Sequence, residues 1–217
     1  MANFTIGIDL GKIVDYTALA VTERIIAAKE VIFKGEGSEI QEDDHYQTRY
    51  IKRWPLGTEY PAIISEVGDI IRRGQLQDAE IIIDGTGVGR KVVELFQIAY
   101  QRQLLGNNWP RGYVITGGRK ATKTEVPKSE LVSKMQAILQ TGRYKVVQSP
   151  EGRLLKAELQ NFSAKFTTAG NETWENAREG DHDDIVLAVA LSCWYKHYHG
   201  EPRYMDGSKI DEKASLA

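Results

Sequence analysis

The chain has 217 residues, with 41% hydrophobic and 27% charged side chains and a net charge of −2. That length suits one domain with a sizeable core and is cramped for two. The near-neutral balance argues against a binder that coats nucleic acid over its whole surface, and no apolar stretch approaches the ~20 residues of a membrane span.

The start, MANFTIGIDLG, has neither the basic opening nor the small-residue cleavage site of a signal peptide. Residues 4–10 alternate apolar with small or polar residues and predict a strand. Residues 17–25 and 29–35 predict two more, making an antiparallel meander. The charged stretch that follows, ending in RWPLGTEYP, reads as loop. Helical spacing of Ile63, Val67, Ile70 and Ile71 predicts a helix over 62–73. AEIIIDGTG (79–87) is a short apolar strand ending at Asp84 and a glycine-rich turn; Val88, Val92, Leu95, Phe96 and Ala99 then mark a helix face.

A buried-type strand at 112–118 leads into the basic loop GGRKATKTEVPK. Pro127 is expected in the first turn of the next helix and Pro150 in that of the one after, since the missing N–H is not needed there. The last helix begins around GDHDDIVLAVALSCWYK (180–196), where three aspartates and a histidine precede a nearly unbroken apolar run. Cys193, the single cysteine, lies inside that run, so the chain has no disulfide and fits a reducing compartment. Residues 1–199 are expected to form the domain and 200–217 a flexible polar tail.

Strands alternating with helices imply parallel pairing through right-handed crossovers, added to the antiparallel meander. The expectation is an α/β mixed sheet with helices on its faces. Sites in such sheets form at the carboxyl ends of strands.

Asp9 and Asp84 both fall there. An aspartate inside or at the end of an apolar strand is disfavoured by strand propensity and calls for a reason. If the first and fourth strands are neighbours, the two carboxylates converge. A last helix packed across the sheet then brings Asp183 and Asp184 to the same point. Clustered carboxylates repel and raise one another's pKa. Two hard divalent cations, Mg2+ or Mn2+, relieve that conflict and suit an in-line phosphoryl displacement by clamping its attacking and leaving oxygens.

Each residue also has a plainer role open to it. Asp181 and Asp184 fit a helix N-cap and first turn, Asp84-Gly a simple turn, and His182 a surface position or an outer partner of the metal ligands. Capping leaves Asp183 and Asp184 in surplus.

The charge is also unevenly spread. Residues 111–168 hold eleven Lys and Arg against four Glu. Arg119, Lys120, Lys123 and Lys128 in the basic loop and at its end are candidate phosphate contacts, which position a polyanion without reading its sequence. The alternative is a solvated loop.

IGIDLG, RWPLGTEYP, IIIDGTGVG, EVPKSELVSKMQAILQTGRYKV and GDHDDIVLAVALSCW together resemble the nuclease domain of the large terminase subunit of tailed bacteriophages, over roughly residues 4–197. That resemblance implies a ribonuclease H-like fold and two-metal cleavage of concatemeric double-stranded DNA during genome packaging. Asp9, Asp84 and Asp183/Asp184 match the family's metal aspartates. It also implies work beside a packaging ATPase domain, a portal and a small terminase subunit in the cytoplasm of the bacterial host. No phosphate-binding G-x-x-x-x-G-K-[ST] motif occurs, so the chain reads as an excised domain or a stand-alone relative, without motor activity.

Two rivals remain. A Holliday-junction resolvase shares the chemistry. An actin-like or sugar-kinase-like ATP-binding domain shares GIDLG and DGTGVG, but it needs a second domain and gives HDD no role.

Overall fold

The computed structural model describes residues 4–11, 15–34, 37–72, 74–87, 90–107, 109–117, 120–168 and 182–199. Seven strands form one sheet: β1 (Phe4–Asp9), β2 (Ala18–Lys34), β3 (Gly37–Arg53), β4 (Glu80–Asp84), β5 (Arg111–Thr116), β6 (Glu125–Pro127) and β7 (Tyr144–Val146). Their order is β6-β5-β4-β1-β2-β3-β7. β1 runs antiparallel to β2 and parallel to β4, with β5 and β6 continuing the parallel side. The helices are α1 (Tyr60–Ile71), α2 (Arg90–Gln101), α3 (Lys128–Gln140), α4 (Pro150–Thr168) and α5 (Asp184–His199). The expected mixed sheet with helices on both faces is present.

Strand alternation sorts the side chains into two cores. Ile6, Ile8, Ile81 and Ile83 pack with α1 and α2 on one face. Ile82, Ala18, Ala20 and Tyr113 pack with α3, α4 and α5 on the other. α5 lies between the sheet and the α3/α4 layer, and every residue from Asp184 to Tyr195 is buried. A helix enclosed on all sides has no use for a polar face, which explains the unbroken apolar run. Each fully buried Ile, Leu or Val there contributes about 1.5–3 kcal/mol.

Gly7 lets α5 come this close. A Cβ at Gly7 would stand 2.0 Å from the Ala188 carbonyl oxygen, inside the backbone of a buried helix that cannot yield locally. Gly7→Ala is expected to cost at least about 1–3 kcal/mol as an overpacking defect, read as a lowered urea midpoint.

The meander departs from expectation. Residues 17–25 and 29–35 are not two strands; one strand, β2, runs through both, because Ile26–Ala28 contain none of the Gly, Pro or Asn that would turn the chain. Its partner β3 comes from the charged stretch read as loop. A register shift between Val21 and Thr22 places Tyr50 opposite Val21 and Thr48 opposite Thr22, leaving Arg49 unpaired. The buried positions are therefore Tyr46, Thr48 and Ile51, and the bulge breaks the period of two that would have revealed a strand.

The three-residue edge strands β6 and β7 were also not anticipated. Pro127 ends β6 and occupies the N-cap of α3 at φ −63°, ψ 134°, one residue before the helix, in place of its expected first turn. Pro150 does open α4.

Candidate metal and nuclease site

Parallel pairing of β1 with β4 sets Asp9 directly opposite Asp84. Each follows its strand's alternation onto the α5 face, opposite to Ile8 and Ile83. α5 begins at Asp184, beside Asp183. Asp9, Asp84 and Asp184 are 9%, 5% and 7% exposed, so three carboxylates are buried at the carboxyl ends of two central strands, where unpaired charge is costly.

The electrostatics follow from that crowding. Burial, reinforced by the charges of Asp84, Asp184 and Asp183, holds the Asp9 carboxyl well above the usual range. Burial also raises Asp84, opposed by hydrogen bonds from Thr86 and Asp9. Asp84 Oδ1 accepts the Thr86 amide at 2.7 Å. Burial pushes Asp184 up to about 6, and its Oδ2 is buried with no hydrogen-bond partner. Asp183 is partly exposed and takes Lys128 Nζ at 3.3 Å.

Among the described residues no group of three or more His, Cys, Asp or Glu side chains stands as a ready metal cage. The Lys128–Asp183 pair offsets part of the negative charge gathered there. The donors nonetheless fit a hard divalent ion. All are carboxylate oxygens, and Asp184 Oδ2 is buried without a hydrogen bond.

The surroundings hold the cluster in place. Trp54 N–H donates to the Thr17 carbonyl at 2.9 Å and Tyr60 O–H to the Gly11 carbonyl at 2.9 Å, so RWPLGTEYP clamps the segment leaving β1. His182 is exposed; its Nδ1 lies 3.8 Å from Asp184 Oδ2 and its ring meets the Tyr16 ring edge-on.

Of the four expected phosphate contacts, Lys120 and Lys123 are exposed on the loop between β5 and β6, whereas Lys128 sits at the carboxylates. Arg119 and the expected cap Asp181 lie outside the described residues, as does the expected tail at 200–217. Sequence reading missed Glu158, which contacts the mouth of α5, Tyr16, which contacts His182, and Arg53, which contacts both Glu158 and Tyr16. For Glu158 one signal existed: an acid beside the Leu155/Leu159 apolar stripe of α4.

No family model matches the chain, and no curated protein does. Among solved structures it is similar to the large terminase nuclease from thermophilic phage G20c, with 20% identity and a TM-score of 0.54 over 87% of this chain and 80% of that one. It is also similar to the human cytomegalovirus terminase nuclease domain, soaked with Mn, with 14% identity and a TM-score of 0.51 over 88% of this chain and 83% of that one. The chain therefore has a terminase nuclease-like, ribonuclease H-like fold.

Proposed function

We propose that the chain is a divalent-metal-dependent endonuclease acting on double-stranded DNA, as in the cutting of concatemeric viral DNA for packaging. The observation that carries this reading is the register match of Asp9 with Asp84 beneath the mouth of α5, which crowds buried carboxylates at the carboxyl ends of two central strands. Asp9, Asp84, Asp183 and Asp184 would hold Mg2+ or Mn2+, which when bound supplies an activated water and charge stabilisation for the leaving oxygen.

The chain's own residues do the rest. The parallel β1–β4 pair keeps the Asp9 and Asp84 carboxylates in register to hold an ion. Lys128, which pairs with Asp183 at 3.3 Å, would meet a phosphate of the backbone at the carboxylates. His182 stays beside Asp184 as an orienting partner. Lys120 and Lys123 hold the duplex through its phosphates. A packaging ATPase, a portal and a small terminase subunit are the partners this function calls for, in the host cytoplasm.

The test is incubation with supercoiled plasmid, with and without Mg2+ or Mn2+, and with ATP hydrolysis followed in parallel. Metal-dependent nicking without ATP hydrolysis is expected. ATP hydrolysis without nicking would favour a kinase-like domain, and cutting confined to four-way junctions would favour a resolvase.

Lys120→Ala with Lys123→Ala is expected to weaken DNA binding about equally across sequences. The slope of log affinity against log salt should fall by roughly 1 to 2 if both side chains neutralise phosphates. An unchanged slope would return the loop to plain solvation.

A further inference from the structure

α5 begins with amide groups that need acceptors, yet neither aspartate at its mouth is spent on them. The acceptor comes from another helix. Glu158 Oε2, on α4, accepts the Ile185 N–H at 3.1 Å and the Val186 N–H at 3.2 Å. Glu158 is 8% exposed, and its other oxygen, Oε1, is buried without a hydrogen-bond partner and lies 3.6 Å from Arg53 Nη1.

Arg53 in turn lies over the Tyr16 ring at 4.3 Å, the Tyr16 and His182 rings meet at 4.8 Å, and His182 reaches Asp184. The contacts form a ring from α4 through β3 and the segment after β1 back to α5. It encloses Asp184. A local cap would use up an aspartate, whereas a cap from α4 leaves Asp183 and Asp184 with their oxygens directed elsewhere.

We propose that Glu158 is the positioning residue of this site: by capping α5 from outside, it fixes where Asp183 and Asp184 stand relative to Asp9 and Asp84. The proposal rests on the nuclease reading above. Glu158 binds no substrate in this account and acts through the helix it holds. Residues that orient metal ligands typically cost 10–100-fold in metal affinity or activity when lost.

Two substitutions separate a positioning role from simple packing. Glu158→Ala removes the acceptor. Glu158→Gln keeps an oxygen for the two amides but turns an N–H2 toward Arg53, so it preserves the cap and breaks the arginine contact. For Glu158→Ala, hydrogen exchange at Ile185 and Val186 should accelerate, and the Mn2+ concentration giving half-maximal cleavage should rise about 10-fold or more. KM for DNA should hold near the wild-type value. Glu158→Gln should restore both amide protection and the metal requirement. If Glu158→Ala does not fold, Glu158→Asp, whose carboxylate falls one methylene short of the amides, carries the same comparison with Gln.

Loss of amide protection with an unchanged metal requirement would overturn the proposal, as would failure of Gln to rescue. A wild-type chain that cuts no DNA in Mn2+ overturns the nuclease reading itself, and this proposal with it. Wild-type cutting with a wild-type metal requirement in Glu158→Ala overturns only the role given to Glu158.

Discussion

Asp9→Asn is expected to lower DNA cleavage by at least on the order of 10²-fold while the protein stays folded. Asp9 sits at the centre of the sheet, between β2 and β4, and its carboxyl feels the charges of Asp84, Asp184 and Asp183. An Asn amide can still donate a hydrogen bond in place of a carboxyl. The substitution therefore keeps size and shape and removes the ability to become an anion. Asp84→Asn should act alike, with the Thr86 amide still accepted by the side-chain oxygen. Unfolding midpoints close to wild type alongside lost plasmid nicking are the expected pair of results. Substantial residual cleavage by Asp9→Asn would remove it from the metal-binding set.

The second large effect belongs to the mouth of α5. Asp184→Asn is expected to abolish cleavage on the same scale and to leave the metal-free protein as stable as the wild type, or more so. The sign follows from linkage. Burial raises the folded-state value of Asp184 to about 6, above its unfolded value, so the native state binds more protons across that interval. Stability from this group is greatest at low pH and falls as pH rises from about 4 through about 6. An asparagine abolishes that slope, so the gain over wild type should be visible at pH 7 and absent near pH 4. Asp9 and Asp84, also raised, push the metal-free wild type in the same direction.

Asp183→Asn should reduce cleavage too. Its stability cost is confined to a partly exposed pair with Lys128, worth about 0–1 kcal/mol. A helix that merely needed capping would behave in the opposite way, losing about 1 kcal/mol with its chemistry intact. Normal cleavage by both variants in Mg2+ and in Mn2+ would reduce these aspartates to helix-end charges.

The carboxylates were legible because each violates a local preference. Asp9 and Asp84 interrupt apolar strands, and Asp183 and Asp184 exceed what a helix end uses. Their meeting place depended on one topological inference, that the first and fourth strands are neighbours, which the parallel β1–β4 register bears out. β3 was hidden because its bulge at Arg49 breaks the alternation, and because a strand rich in charge resembles a loop when its partner is unknown. β6 and β7 are three residues each, too short to carry a period. The role of Glu158 was hidden for another reason: an acid beside the apolar stripe of α4 marks the residue, but its partners are backbone amides 27 and 28 residues away, which leave no mark in a sequence. Lys128 looked like its loop neighbours Lys120 and Lys123, and only the packing of α3 against α5 sets it apart.

The claim that most of the above depends on is that these acids are gathered for a divalent cation. Thermal unfolding of the wild type at pH 7, with and without Mn2+, measures this without reference to DNA. A ligand at about 100 times its Kd stabilises the native state by about 2.7 kcal/mol, which for a chain of this size raises Tm by roughly 5–10 °C. That rise is expected for the wild type, growing as pH increases through about 6 while Asp184 sheds its proton, and vanishing in Asp9→Asn. A wild-type Tm unmoved by saturating Mn2+, or a rise that Asp9→Asn retains in full, would contradict it.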